Sequence, residues 1–128
     1  MASPNIVAIG TVNGFTTVKA DVTTSEVVFL NQPNTDSSVL KVNNILACNT
    51  TGSSANITIA YRTGAGGGGD KVVIANATPV AAYSTLVVID KASSIYLEED
   101  KSLTAESSAS NAFDIVASYE RILWFNRR

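Results

Sequence analysis

The chain has 128 residues, 45% of them hydrophobic, with nine basic and eleven acidic side chains giving a net charge of −2 at pH 7. This composition excludes a disordered chain, and the slightly acidic balance excludes a general nucleic-acid binder, which needs a Lys/Arg-rich face to neutralise phosphates. With no histidine and a single cysteine, Cys48, general acid–base catalysis lacks its commonest group, and neither an internal disulfide nor a histidine-rich metal site can form.

No apolar run approaches the roughly 18–20 residues of a membrane-spanning helix, so no membrane partner is expected. The opening Met1-Ala2-Ser3-Pro4-Asn5 carries no basic residue, so a secretory signal is not expected either. Residues 1–14 hold Ile6, Val7, Ile9 and Val12, broken by Pro4, Gly10 and Gly14. This reads as an arm too short to fold alone, whose apolar residues need a partner surface.

Phe15 to Val22 is β-branched and aromatic and reads as a strand, as does Glu26 to Leu30, which stops at Asn31-Gln32-Pro33-Asn34. Ser38 to Cys48 is the longest early run. Its even positions Leu40, Val42, Leu46 and Cys48 predict one buried face, with Cys48 as a small core hydrophobe and Asn44 marking a bulge or a backbone partner. A turn over residues 49–54 leads to Ala55–Arg62, where Ile57, Ile59 and Tyr61 alternate with Asn56, Thr58 and Arg62, so the two runs predict a hairpin. The glycine run from Gly64 to Gly69 predicts a mobile loop tip. It does not predict a phosphate loop, because Asp70 to Ile74 reads as a strand where such a loop needs a helix and a Lys-Ser/Thr pair.

Leu86-Val87-Val88-Ile89 suits a strand buried on both faces or lying at a subunit contact. Ile95–Leu97 and Ser102–Ala105 flank Glu98-Glu99-Asp100-Lys101 and predict a hairpin with a solvated acidic tip; the spacing lacks the alternation of a calcium loop. Asp90, Glu98 and Glu106 are available as glycosidase-type acids, but any two acids in such a fold would serve as well. Asn49, Asn56 and Asn76 begin N-x-S/T sequons that are expected to stay unmodified. The last run places Phe113, Ile115, Ala117 and Tyr119 on one face, with Asp114, Ser118 and Glu120 opposite, and ends in the wholly apolar Ile122-Leu123-Trp124-Phe125.

No 3.6-residue period lasts three turns. About eight strands at intervals of roughly 8–12 residues predict an all-β fold, an antiparallel β-sandwich of jelly-roll type with extended arms. The expected organisation is an N-terminal arm over 1–14, the sandwich over 15–122 and a C-terminal arm over 123–128. In the last arm Trp124, Phe125, Arg127 and Arg128 combine the residue types favoured at interface hot spots. Arms at both ends of a β-domain suit a subunit of a larger assembly.

The stretch Val39 to Ile59 resembles small virion structural proteins of tailed bacteriophages, in particular those infecting cyanobacteria. So do Ser84-Thr85-Leu86-Val87-Val88-Ile89-Asp90-Lys91, Ile95 to Leu103, and Val116-Ala117-Ser118-Tyr119-Glu120-Arg121-Ile122. The resemblance implies a non-enzymatic subunit located in the virion and assembled in the host cytoplasm. The leading expectation is a capsid decoration (cement) protein that stabilises the shell as a homo-oligomer such as a trimer, in contact with the major capsid protein or other virion proteins. A neck, tail or baseplate part is the close variant. No catalytic residue, cofactor, metal or direct nucleic-acid contact is expected, and Ile6, Val7, Ile9, Trp124, Phe125, Arg127 and Arg128 are the expected contact residues. A carbohydrate-binding module, stacking Tyr61, Tyr83, Tyr96 or Trp124 on a sugar ring, is the reading from another class.

Overall fold

Runs of β-branched residues that alternate with polar ones cannot bury a helical stripe, but they bury one face of a pleated strand. The computed structural model describes residues 9–32 and 38–124, which form nine strands. In chain order these are β1 (Ile9–Val22), β2 (Val27–Gln32), β3 (Ser38–Asn49), β4 (Ala55–Arg62), β5 (Lys71–Val80), β6 (Thr85–Ile89), β7 (Ile95–Leu97), β8 (Lys101–Ser107) and β9 (Phe113–Trp124). The helical content of the described residues is two single 3-10 turns, Ala65–Gly67 and Lys91–Ser93.

The strands form two antiparallel sheets. The first has the order β1-β9-β3-β6, with β7 also on β3, and the second has the order β2-β8-β4-β5. Strands β6 and β7 flank the same edge of β3, one beside Ile45–Cys48 and the other beside Leu40–Val42. They are thus two pieces of one edge, interrupted by the turn that Asp90 caps through the Ala92 and Ser93 amides, both at 3.1 Å. The pairings are nested in sequence: β4 pairs β5, β3 pairs β6, β2 pairs β8 and β1 pairs β9. The molecule is the all-β antiparallel sandwich expected from the sequence.

Its core lies between the sheets. Val42, Ile45, Leu97, Phe113, Ile115 and Ala117 come from the first, and Ile57, Ile59, Leu103 and Ala105 from the second, all essentially inaccessible to solvent. Each large aliphatic side chain buried here stabilises the fold by about 1.5–3 kcal/mol before entropy is subtracted.

Four local expectations are corrected. Strands β3 and β4 do not form a hairpin, and neither do β7 and β8, because in each case the two runs lie in different sheets. Alternation reports that one face is buried, and both layers bury their faces on the same core, so it does not report which layer a strand joins. The acidic tip is accordingly a corner between sheets: Glu99 is buried and Asp100 adopts a left-handed backbone with φ +63°.

Within β3 the buried face changes parity. Opposite β9, Val42 pairs Tyr119 and Asn44 pairs Ser118, so Asn43 is the extra residue of a bulge. Beyond it Ile45 and Ala47 point inward, while Leu46 and Cys48 move to the outer face, where Cys48 is half-exposed and not a core residue. Strand β1 begins at Ile9 and β9 ends at Trp124, so the described parts of both predicted arms, residues 9–14 and 123–124, pair within the first sheet.

Candidate assembly surface

Glycines 64–69, predicted to be a mobile tip, fold back over the outer face of the second sheet. The amide of Ala65 donates to Asp100 Oδ1 (3.3 Å), that of Gly66 to Asn31 Oδ1 (2.6 Å) and that of Gly67 to Ser102 Oγ (2.9 Å). Three consecutive amides are thus engaged by the protein's own side chains. Gly67, at φ +80°, packs so closely that an added Cβ would sit 3.1 Å from Val28 Cγ2, so the run of glycines serves close approach as well as turning. Beneath the loop Glu26 accepts from Arg62 Nε (2.9 Å), Arg62 Nη2 and the Thr104 hydroxyl, and Arg62 Nη1 donates to the Gly69 carbonyl (3.2 Å).

The Arg62 guanidinium holds the Glu26 carboxyl at about 2, below its ordinary 4.5, against the opposing pull of burial and with help from Thr104. The folded state therefore favours the carboxylate. This stabilisation is complete above about pH 4.5 and is lost as the pH falls from there through about 2. Hydrogen exchange of the Ala65, Gly66 and Gly67 amides, corrected for intrinsic rates, is expected to lose protection across that window. In Glu26→Gln protection is lower at the outset and no longer acid-dependent; constant wild-type protection down to about pH 2 contradicts the latch.

With the β2–β8 part of that face covered, the free surface lies at the sheet edges, around β4 and β5 of the second sheet and on the outer face of the first sheet. Of the edges, β2 has six residues, β6–β7 is broken, and β5 carries a bulge where Ala77 adopts φ +45° and donates its amide to Thr58 Oγ1 (2.9 Å). Short, broken or bulged edges resist pairing with other chains. Strand β1 keeps its irregularities to its two ends, between Ile9 and Thr11 and between Lys19 and Val22, and leaves Thr11 to Lys19 in unbroken register. It is 14 residues long, pairs only β9 within its sheet, and has no charged residue from Ile9 to Val18. Val12, Phe15 and Val18 are 49%, 45% and 70% exposed, and the Phe15 ring stacks on Tyr119 with centroids 5.6 Å apart. On the opposite flank Val72, Val73 and Ile74 of β5 are exposed too.

Of the contact residues expected from the sequence, Ile6, Val7, Phe125, Arg127 and Arg128 lie outside the described residues. Ile9 and Trp124 are the first rung of the β1–β9 ladder, which brings the backbones of the two predicted arms together. The sequence reading missed the β1 edge itself; the signal for it was the run of uncharged residues from Ile9 to Val18.

The tyrosines proposed for sugar stacking do not form a row. Tyr61 is half-buried, with its phenol pushed up by burial and by Glu98. Tyr96 sits beside Lys41 at one end of β3, and Tyr83, whose amide donates to the Thr51 carbonyl, sits beyond the other end. The strand from Lys41 to Asn49 separates those levels, about 26 Å. A polar depression of about 260 Å³ on the second sheet is lined by Asn56, Thr58, Asn76 and a Lys71–Glu106 ion pair at 3.7 Å. The hydroxyls of its lining serve the backbone: Thr58 and Ser108 accept from the Ala77 and Asn56 amides, and Ser107 donates to the Ala109 carbonyl.

No protein-family model and no curated protein matches the chain. Among solved structures, the chain is similar to one described by the words "Bacillus endospore appendages form a novel family of disulfide-linked pili". The TM-score is 0.52 at 13% identity, covering 91% of this chain and 90% of that one. At this identity the likeness shows a shared β-sandwich fold across nearly the whole of both chains.

Proposed function

We propose that the protein is a non-enzymatic structural subunit that assembles with copies of itself. The observation that carries this reading is β1, a long edge in unbroken register from Thr11 to Lys19 with uncharged, exposed side chains as far as Val18, of the kind that monomeric proteins blunt. A strand of a neighbouring subunit can add to it through backbone hydrogen bonds, with alternate side chains setting register. The fold shared with a pilus subunit supports an assembling role. The order of segments from Val39 to Ile122 supports the finer reading of a tailed-phage virion protein, with capsid decoration first and a neck, tail or baseplate part second. In that setting Ile6, Val7, Ile9, Trp124, Phe125, Arg127 and Arg128 are the proposed contact residues, and the partners are further copies and the major capsid protein.

Thr11→Lys combined with Asn13→Lys tests the edge. Both positions are exposed, so the fold tolerates them, while lysines along the edge oppose strand addition. Light scattering of the purified protein is expected to show assemblies larger than a dimer for the wild type and their loss in the variant. A wild-type chain that stays monomeric at high concentration refutes the assembly reading. Capsid decoration is tested by co-sedimentation with emptied phage capsids, and failure to bind them removes that finer role.

A further inference from the structure

The register of the first sheet places four apolar side chains in one line across its outer face. Val18 pairs Val116, Val116 pairs Leu46, and Leu46 pairs Val87, and directly paired residues project from the same side of a sheet. Val18 and Val87 are 70% and 53% exposed, while Val116 and Leu46 are half-buried. The line spans all four strands, about 14 Å at the usual interstrand spacing. Polar rows run on either side, Asp114–Cys48–Thr85 above and Thr16–Ser118–Asn44 below. One row further lie Glu120 and Lys41, neighbours on β9 and β3. An apolar centre inside a polar rim is the anatomy of a protein interface.

We infer that this face binds the same face of a second copy about a two-fold axis running along the strands between β9 and β3. Such an axis exchanges β9 with the partner's β3 and β1 with the partner's β6. The apolar line then stacks on itself, Val18 against the partner's Val87 and Val116 against the partner's Leu46. In the same operation Glu120 meets the partner's Lys41 and Lys41 meets the partner's Glu120. The charge pattern is therefore complementary to its own rotated copy, and this selects a second copy as the occupant. The long Lys and Glu side chains span the lateral offset that the angle of about 30° between packed sheets introduces. The size is that of a small interface: beyond Lys41 and Glu120 the face is closed, since Val39 and Ile122 are already buried within the chain, and four strands about 4.8 Å apart over the roughly 23 Å from Asp114 to Glu120 give a plan area of about 450 Å². A standard interface takes about 800 Å² from each partner, so the dimer is a weak one that forms at high concentration.

The inference rests on the assembly reading above and adds a second, closed contact to the open edge. Sedimentation velocity over a concentration series is expected to show a dimer as the first step of wild-type association, ahead of the larger assemblies. Val116→Thr with Val87→Lys, one isosteric and one exposed, is expected to weaken it at least about tenfold. Lys41→Glu and Glu120→Lys alone each set like charges face to face and weaken it, while the double swap restores association to within about threefold of wild type. Because Lys41 and Glu120 also pair within one subunit, urea stability of each variant is measured beside association, and a loss of association that follows a loss of stability assigns the effect to that internal pair and overturns the inference. Alkylation of Cys48, one row from the apolar line, is expected to slow on dimerisation. A chain monomeric at all concentrations, or single swaps that associate like wild type, overturns the inference. In the Thr11→Lys/Asn13→Lys background, whose two positions project from the other side of β1, the face dimer is expected to persist. Its loss there assigns association to the edge and overturns the face contact, whereas a persisting dimer that still grows into larger particles supports the face contact and refutes the edge reading alone.

Discussion

Asn49→Asp is expected to destabilise the fold by about 3–5 kcal/mol at neutral pH, although the two side chains have nearly the same shape. Asn49 is fully buried at the end of β3. Its Nδ2 donates to the carbonyls of Ser53 (2.9 Å) and Val80 (3.0 Å), and its Oδ1 accepts from the Thr51 amide (2.9 Å) and hydroxyl (2.8 Å). One amide therefore holds the chain as it leaves the first sheet and ties that corner to the end of β5. An aspartate keeps the acceptor side but turns a carboxylate oxygen towards two carbonyls, burying a charge with no partner. The variant's acid is thus favoured in its neutral form, with a folded pKa raised above the unfolded value of about 3.9. Its penalty is smallest below about pH 4 and grows as pH rises through the raised pKa. Urea unfolding at pH about 3.5 and 7 checks this, and equal losses at both values would mean that charge is not the cause. Because both Nδ2 hydrogens are already engaged, the sequon beginning at Asn49 is closed to glycosylation in the folded protein.

Phe113→Ala is expected to cost about 3–5 kcal/mol, and Phe113→Leu clearly less. Phe113 is the largest of the fully buried side chains, and it pairs with Val22 on one side and Asn49 on the other. Alanine leaves a cavity where the first and last strands meet the corner held by Asn49. Since the residues are register neighbours, losses from Phe113→Ala and Asn49→Asp are expected to be non-additive. Chemical denaturation of the two single variants and the double measures both effects. A Phe113→Ala protein as stable as wild type would show that the core collapses around the gap.

The strands themselves were legible because period-two alternation and turn residues are local signals: β4 coincides with its predicted span, and β3 extends one residue past its own. What alternation does not encode is the partner. The segments after Cys48 and after Leu97 read as hairpin turns, yet both carry the chain across to the other sheet, because the forces that route them are tertiary. One is the Asn49 side chain; the other is a buried Glu99 followed by Asp100 at positive φ. Asn44 flagged the bulge, but the consequence, a change of parity that puts Leu46 and Cys48 outside, needed the β9 register. The glycine run was misread for a related reason. Its entropy cost predicts mobility only where nothing holds it, and the acceptors that hold it, Asn31, Asp100 and Ser102, lie about 35 residues away in sequence. The apolar line was invisible for the same reason, since its members are Val18, Leu46, Val87 and Val116.

The nested pairing also dictates an order of events during synthesis. Strands β4 and β5 are separated by a short loop and can close early, whereas β1 has no partner until Phe113–Trp124 has been made. Domains dominated by such distant pairings fold on a scale of milliseconds to seconds. Through translation, then, the strand with the least protected edge in the finished subunit is also the one left unpaired longest. Nascent chains on one polysome present that strand to one another before their own C-terminal strands exist. The time at which β9 is made thus sets how long the β1 edge stays open to other chains.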